Sequence, residues 1–345
     1  MLYSLLRPAL FLVDGESAHG LSLAALRVLP TANVAPTPAL EQTIAGLTFP
    51  NPVGLAPGYD KNAEICAQAF GLGFGFVEVG SVTPRPQDGN PRPRLFRLVE
   101  DRAVINRMGF NNDGMDIVAG RLAAIDRSKL GGPLGINVGA NKDSVDRIAD
   151  YVTAILRLAP LADYVTVNIS SPNTPGLRAL QDKAALDELL SRVKAAMPSG
   201  QPVFLKVAPD LEPADIDDIT ASVIEHGIDA LIVSNTTITR PTLRSAHAGE
   251  TGGLSGAPLR DLAQQRLADF AKATGGALPL IGVGGIASGA DAYARIRAGA
   301  SLVQLYSALV YEGPMLAKRI NRELLALMKR DGFDTIAQAI GADWR

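Results

Sequence analysis

The sequence is poor in cysteine and histidine, and its charges are nearly balanced. One cysteine, Cys66, and three histidines among 345 residues exclude a disulfide framework and a cysteine-rich zinc or iron–sulfur site. The 33 Lys and Arg residues against 35 Asp and Glu residues give a formal net charge of −2. We therefore expect no nucleic-acid partner and no metal, and a reducing compartment.

The sequence also lacks a long apolar run. The longest uncharged segment, 273–290, contains six glycines and Pro279, which predicts turns around a short strand and not a membrane span. The N-terminus has no basic leader, and Arg7, Asp14 and Glu16 interrupt its apolar residues. We expect no signal peptide and a location in the cytosol.

Two short amphipathic helices are predicted at the N-terminus, over Tyr3–Val13 and Glu16–Leu29, because apolar residues recur there at helical spacing. Such a pair either docks on the main domain or lies on a membrane surface, and the pattern leaves both open. A proline-spaced linker, Pro30 to Pro38, follows. We expect residues 1–40 to form this pair and linker, and residues 41–345 to form one catalytic domain.

From about residue 43, short apolar runs alternate with longer helical patterns, which predicts a parallel sheet with crossover helices. Eight such units close a (β/α)8 TIM barrel, and a doubly wound open sheet is the competing architecture. We favour the barrel because small or polar residues follow all eight strands, as loops that share one mouth require. Two hairpins are also predicted, over 43–53 and 94–105. The predicted strands are Val53–Ala56, Phe76–Val79, Leu134–Val138, Tyr164–Asn168, Val203–Val207, Ala230–Ser234, Leu280–Gly284 and Leu302–Tyr306.

Two lysines and three asparagines lie at the ends of these strands: Lys61, Asn137, Asn168, Lys206 and Asn235. Surface loops explain polar residues in general, but not this set beside apolar strands. A lysine at the position of Lys206 either forms a Schiff base with a carbonyl substrate or places a positive charge beside an electron-accepting ring. The strand ends therefore predict a site for chemistry at the barrel mouth.

A phosphate cradle is predicted after the seventh strand. In Gly282-Val-Gly-Gly-Ile286 small residues expose backbone N–H groups, and a helix N-terminus follows. Tyr306-Ser307 comes after the eighth strand, and Gly252–Gly256 offers further donors. Barrels bind phosphate after strands seven and eight, so a phosphorylated ligand is expected. No P-loop or dinucleotide fingerprint competes with it.

Residues 168–176 form the densest polar segment. Pro172 and Pro175-Gly176 hold it in an irregular loop that displays hydroxyl and amide groups. No histidine is near in sequence, and no Gly-x-Ser-x-Gly elbow is present. We therefore expect Ser171 to move a proton and not to attack a carbonyl.

Four motifs resemble those of the dihydroorotate dehydrogenase family: residues Asn168–Thr174, Asn106–Asn112, Gly58–Asn62 and Ser234–Thr237. The resemblance extends over essentially the whole chain. Ser171 and the N-terminal stretch from Leu10 to His19 resemble the membrane-associated, quinone-dependent class, whereas soluble relatives use a cysteine base and lack the extension. Pro57, Tyr59 and Ser81 depart from the usual residues but leave the polar contacts intact.

The resemblance implies FMN across the barrel mouth, with dihydroorotate or orotate beside it. Ser171 would take a proton from C5 of the substrate while hydride leaves C6 for flavin N5, with Thr174 a candidate for the proton's path. Lys206 would stabilise the charge that develops on the flavin. The implied FMN-binding residues are Ala56, Pro57, Gly58, Lys61, Ser81, Asn137, Asn168, Lys206, Ser234, Gly256, Gly285, Tyr306 and Ser307. The implied substrate-binding residues are Lys61, Asn106, Arg107, Met108, Gly109, Phe110, Asn168, Asn173, Asn235 and Thr236.

The implied electron acceptor is ubiquinone or a related quinone, which would enter between the N-terminal helices. This places the protein peripherally on the cytoplasmic face of the cell (inner) membrane, in de novo pyrimidine biosynthesis. Three alternatives stand beside this interpretation. They are a Schiff-base aldolase or phosphate-binding isomerase on the same fold, a non-catalytic membrane-surface protein, and the soluble fumarate- or NAD-linked class of the same enzyme.

Overall fold

Strands and helices alternate along most of the chain in the computed structural model, which describes residues 2–31 and 36–344. The described strands are β1 (Gln42–Ile44), β2 (Leu47–Phe49), β3 (Val53–Leu55), β4 (Phe76–Val82), β5 (Leu95–Leu98), β6 (Ala103–Asn106), β7 (Leu134–Val138), β8 (Tyr164–Asn168), β9 (Val203–Val207), β10 (Ala230–Val233), β11 (Gly253–Gly256), β12 (Leu280–Val283) and β13 (Ala300–Leu305). The described helices are α1 (Leu2–Leu10), α2 (Gly15–Arg27), α3 (Cys66–Phe70), α4 (Met115–Ala123), α5 (Arg147–Leu158), α6 (Lys183–Ala196), α7 (Pro213–Glu225), α8 (Arg260–Thr274), α9 (Gly289–Arg297), α10 (Ala308–Glu312), α11 (Leu316–Asp331) and α12 (Ile336–Ala339).

Eight parallel strands close a barrel in the order β3, β4, β7, β8, β9, β10, β12 and β13, with β13 paired back to β3. This confirms the predicted (β/α)8 TIM barrel and excludes the open sheet. Every residue of β4, β7, β8 and β9 is buried, because the strands face side chains inside the barrel and helices outside it. All eight carboxyl ends meet at one mouth.

Aromatic side chains fill the opposite, amino-terminal end of the barrel. Phe49 and Phe76 meet edge to face at 5.2 Å between ring centroids, and Tyr164 stacks on Phe204 at 4.5 Å. The antiparallel pair of β1 and β2 covers this end and forms the first predicted hairpin, beginning one residue earlier than predicted, at Gln42. The barrel interior is therefore a packed core below the mouth.

A second, antiparallel sheet lies beside the mouth. The predicted hairpin over 94–105 is confirmed as β5 and β6, and β11 adds to β6 as a third strand. The strand β11 was not predicted, because its glycines suggested a turn that offers backbone donors. The sheet gives the mouth a wall that the barrel strands do not supply.

The helix α2 packs against β5 of this sheet, and α1 packs against α10. The Asp14 carboxylate caps α2 by accepting hydrogen bonds from the N–H groups of Glu16 and Ser17, both at 3.0 Å. Glu16 forms ion pairs with Arg92 and Arg94, at 3.0 and 2.6 Å. Polar contacts thus hold the pair on the barrel domain. The predicted linker after α2 lies partly outside the described residues.

A turn precedes α3 at the mouth of the barrel. Helical structure begins only at Cys66, since Ala63 has a φ of +57°. The buried Asp60 carboxylate accepts hydrogen bonds from the N–H groups of Glu64 and Ile65, both at 2.8 Å. The chain therefore folds around Asp60 before α3 begins, and this turn presents Lys61 to the mouth.

Candidate active site

A cavity of about 710 Å³ opens at the carboxyl ends of the barrel strands and continues to α1 and α2. Its inner wall is polar and comes from the strand ends, with Lys61, Asn168, Ser171, Lys206, Asn235 and Thr236. Its outer wall is apolar and comes largely from the helix pair, with Leu10, Phe11, Leu21, Ala25, Leu26 and Leu29. One continuous space thus joins a polar end to an apolar end.

A smaller cavity of about 110 Å³ adjoins the first and lies over the turns after β12 and β13. Gly284 and Gly285 line it with φ values of +111° and +71°, and a Cβ on Gly285 would overlap the Arg260 backbone. The buried Arg295 guanidinium donates to the Gly284 carbonyl at 2.8 Å and to the Arg260 carbonyl at 2.7 Å. The predicted glycine cradle is therefore formed, and it is held from behind by Arg295.

Amide side chains form the floor of the large cavity. Asn168 Nδ2 donates to Asn137 Oδ1 at 3.1 Å, and Asn137 Oδ1 also accepts from the Ser81 hydroxyl. Asn168 Oδ1 accepts from the Ser170 hydroxyl at 2.9 Å, and that hydroxyl accepts from Asn235 Nδ2 at 3.0 Å. The asparagines from three strand ends thus form one hydrogen-bonded unit with a defined direction for each amide.

Ser171 lies on the cavity wall with 6% of its surface exposed. Its Oγ accepts a hydrogen bond from the Asn173 N–H at 3.3 Å, which leaves the hydroxyl free to face a ligand. Arg178 holds the loop in place by donating to the carbonyls of Ser170 and Thr236, both at 3.1 Å. The Ser171 side chain is therefore placed by contacts on both sides of it.

The two lysines of the site are both affected by burial. Burial lowers the pKa of Lys61 to about 8 and lowers the pKa of Lys206 as well, against the attraction of Glu78. Lys206 is 5% exposed, and no described residue accepts a hydrogen bond from its ammonium group. A buried cation without such a partner indicates that a ligand completes its environment.

Three rings lie where the polar and apolar parts of the cavity meet. Tyr59 contacts Tyr306 edge to face at 5.4 Å and His19 at 5.1 Å between centroids. Burial lowers the pKa of His19 to about 4, so its imidazole is neutral at physiological pH. Neutral aromatic rings thus separate the polar end of the cavity from its apolar end.

The structure brings together nearly all of the residues that the resemblance implies. Every implied FMN-binding residue lines one of the two cavities except Asn137, which lies beneath the floor. Every implied substrate-binding residue lines the large cavity except Arg107. The Arg107 guanidinium donates to the Glu250 carboxylate at 2.7 Å and lies 4.5 Å from the Phe96 ring. Arg107 therefore braces the loop before β11 from outside the site.

Sequence reasoning missed three buried polar residues next to the site: Glu78 in β4, Gln304 in β13 and Arg295 in α9. Their signal is a charged or amide residue inside an otherwise apolar, buried element. Glu78 and Gln304 interrupt predicted barrel strands, and Arg295 lies on the buried face of a helix. Such interruptions mark polar networks that a count of strand-end residues overlooks.

Comparisons with known proteins agree on one family. The sequence profile of the family described as dihydroorotate dehydrogenase matches residues 39–328. A protein of Novosphingobium aromaticivorans named dihydroorotate dehydrogenase (quinone) is 63% identical, over 99% of this chain and 99% of the relative. The protein of the same name from Sphingopyxis alaskensis is 64% identical, over 99% and 96%. The crystal structure of the Eimeria tenella enzyme in complex with ferulenol matches with a TM-score of 0.92 at 42% identity, over 96% of each chain.

The glycine cradle generates a first prediction. Replacing Gly285 with alanine should weaken the binding of the expected phosphorylated ligand, with FMN as the probe, at least about tenfold, because the residue would keep a positive φ with a Cβ that overlaps Arg260. The affinity is measured by quenching of FMN fluorescence on titration with apoprotein. Gly120→Ala in α4, where a Cβ meets open space, is the matched control. An unchanged affinity in Gly285→Ala would argue against the cradle.

Proposed function

The chain belongs to the dihydroorotate dehydrogenase family, and from this membership we propose that its large cavity oxidises dihydroorotate to orotate at the polar end and receives a quinone at the apolar end. The quinone-dependent reaction, a step of pyrimidine biosynthesis, is the activity named for relatives that share more than 60% of their residues with this chain. The aldolase, isomerase and soluble-acceptor alternatives gain no support from these comparisons. The single observation that carries the proposal is the continuity of the cavity from the amide floor to the helix pair.

The family uses a flavin, and we propose FMN as the form bound here. The glycine cradle, with Ser255 and Ser307 joined at 2.7 Å between their hydroxyls, suits a terminal phosphate. The Lys206 ammonium and the buried Gln304 Oε1, neither of which has a hydrogen-bond partner among the described residues, suit a polar ring edge. A bound flavin supplies the acceptor for the hydride from C6 of the substrate and passes the electrons on to the quinone.

Ser171 is proposed as the base that takes the proton from C5. A serine hydroxyl is a weak base at neutral pH, so its proton has to be relayed onward. The Asn173 N–H that donates to Ser171 Oγ stabilises negative charge on that oxygen. Thr174 Oγ1 is buried in the same loop without a hydrogen-bond partner in the part of the chain that the structure describes, which makes it the proposed relay.

The charged and amide groups around Ser171 are proposed to hold the substrate. Lys61 pairs with the carboxylate of dihydroorotate, and the amides of Asn106, Asn173 and Asn235 recognise its ring amides. Asn173 Nδ2 already donates to Asn106 Oδ1 at 3.1 Å, so these two amides are oriented before a ligand arrives. Lys206 supplies positive charge at the floor, where charge develops during the reaction.

Residues 1–40 are proposed as the route of the quinone. Leu5 in α1, Leu12 in the turn after it and Val28 directly after α2 are exposed by 77, 89 and 83%, and these apolar side chains suit the interface of a lipid bilayer. No helix among the described residues is long and apolar enough to cross a membrane. We propose peripheral attachment at the cytoplasmic face of the cell (inner) membrane, with ubiquinone or a related quinone entering from the lipid.

The role of Ser171 predicts a separation of flavin binding from chemistry. Ser171→Ala should retain bound flavin, but dihydroorotate should reduce that flavin about 10² to 10⁴ times more slowly, because the proton at C5 loses its acceptor. Anaerobic stopped-flow absorbance at neutral pH measures the rate. Ser170→Ala removes a hydroxyl that binds Asn168 and Asn235, so it should weaken substrate binding but slow reduction far less at saturating dihydroorotate. Near-normal reduction in Ser171→Ala would remove Ser171 as the base.

The pKa of Lys61 predicts how orotate binding depends on pH. Only the protonated amine attracts the carboxylate, so the affinity for orotate should be constant below about pH 8 and fall about tenfold per pH unit above it. The affinity is measured from the flavin absorbance change on titration with orotate between pH 6.5 and about 9.5. In Lys61→Arg the affinity for orotate should not show this fall above about pH 8, since the Arg side chain stays charged. Parallel profiles for the two proteins would show that Lys61 does not pair with the ligand.

The exposed apolar face of the helix pair predicts membrane attachment. In the double variant Leu5→Glu/Leu12→Glu, affinity for anionic lipid vesicles should fall at least about 100-fold, since each buried Leu contributes about 2 kcal/mol. Reduction of the flavin by dihydroorotate should be unchanged, while turnover with a long-chain quinone in vesicles falls. The control Ile117→Glu/Leu156→Glu changes two apolar residues exposed elsewhere on the molecule, by 52 and 63%. Equal vesicle binding by both variants would refute the assigned face.

A further inference from the structure

Glu78 is a fully buried carboxylate that the proposed reaction does not use. It lies in the middle of β4 and has no exposed surface. Its Oε1 accepts from Asn137 Nδ2 at 2.8 Å, and its Oε2 accepts from Gln304 Nε2 at 2.7 Å and from the Tyr164 hydroxyl at 3.2 Å. The donors come from β7, β13 and β8, so side chains from three other strands of the barrel converge on one carboxylate.

An ionised carboxylate accepts hydrogen bonds and donates none, which fixes the direction of the amides around it. Asn137 has to present its Nδ2 to Glu78 and therefore turns its Oδ1 toward the mouth. That oxygen accepts from Asn168 Nδ2 at 3.1 Å, so Asn168 in turn presents its Oδ1 to Ser170. Glu78 thus determines the orientation of the Asn168 amide, which faces the ligand cavity, through the intervening side chain of Asn137.

Glu78 also compensates a second buried charge. Lys206 lies in β9 of the same barrel, and its electrostatic attraction to Glu78 opposes the effect of burial, which lowers the Lys206 pKa. Removing a charge from water is costly unless an opposite charge is near. The described structure gives Lys206 no hydrogen-bond acceptor, so Glu78 is the partner that favours its protonated form.

We propose that Glu78 is a positioning residue with two effects: its carboxylate sets the amide direction of Asn137 and Asn168, and its charge keeps the Lys206 ammonium in the cavity floor. The inference rests on the proposed function, since it assumes a flavin above Lys206. It assigns to the barrel interior a part in tuning the flavin, although Glu78 itself touches neither ligand cavity.

The test compares variants that separate charge from shape in the flavin-loaded protein. Glu78→Gln keeps the shape but replaces an acceptor by a donor, so it cannot accept from all three neighbours. The protonated form of Lys206 should then be less favoured, because the attraction of Glu78 is lost. The reduction potential of the bound flavin should therefore fall by at least about 30 mV, which is a tenfold change in the equilibrium constant of a two-electron couple. The affinity for orotate should also fall about tenfold, because Asn168 loses its fixed direction.

Two further variants make the outcome decisive. Glu78→Asp keeps the charge and should keep the potential near that of the unchanged protein, while Tyr164→Phe removes only the longest hydrogen bond and should leave both quantities nearly unchanged. A potential that rises or stays constant in Glu78→Gln would overturn the proposal. If Glu78→Gln loses its flavin, retention by Glu78→Asp supports the role of charge, and equal loss by both overturns it.

The potential is measured by dye-equilibrated photoreduction, which requires no dihydroorotate. Failure of the unchanged protein to be reduced by dihydroorotate would therefore count against the proposed function and not against the role of Glu78. Conversely, normal reduction of the unchanged protein together with an unaltered potential in Glu78→Gln would refute the role of Glu78 alone.

Discussion

Closure of the eight parallel strands into one barrel is the constraint on which the site depends. A closed parallel barrel has no free strand edge, and its connections bring all eight carboxyl ends to one rim. Residues as far apart in sequence as Lys61 and Tyr306 therefore line one cavity. The same closure excludes water from the barrel interior, so the polar groups at the cavity floor must form hydrogen bonds with one another. The hydrogen-bonded asparagines and the three donors on the Glu78 carboxylate are the result.

The site changes in character from its floor to its outer wall. Near the floor, charges and amides are held in fixed directions, which suits a polar substrate whose charge changes during reaction. Past Tyr59 and Tyr306 the walls become apolar, and His19 is kept neutral by burial. This gradient places a polar environment and an apolar environment within one continuous cavity.

Much of the barrel was predictable because its strands are locally consistent. For β7, β8 and β9 both ends coincide with the predicted bounds, since each is an apolar run bordered by turn residues. The ring of polar strand ends followed from barrel geometry. The network beneath it did not, because Gln304 and Glu78 meet across 226 residues of sequence and no local pattern encodes such a meeting. Arg107 shows the same limit. It lies in a motif that resembles the family's, so its position in the sequence predicted a substrate contact, whereas its side chain turns away from the cavity and binds Glu250.

The two ends of the large cavity belong to different stretches of chain. Most of the apolar end is built by residues before 30, whereas the polar end is built by loops between residues 57 and 307. Arg92, Arg94 and Arg97, in and just before β5, bind the helix pair, and further contacts come from Tyr59 and Glu64. A substitution before residue 30 therefore changes the lining of the apolar end and leaves every residue that lines the polar end as it is.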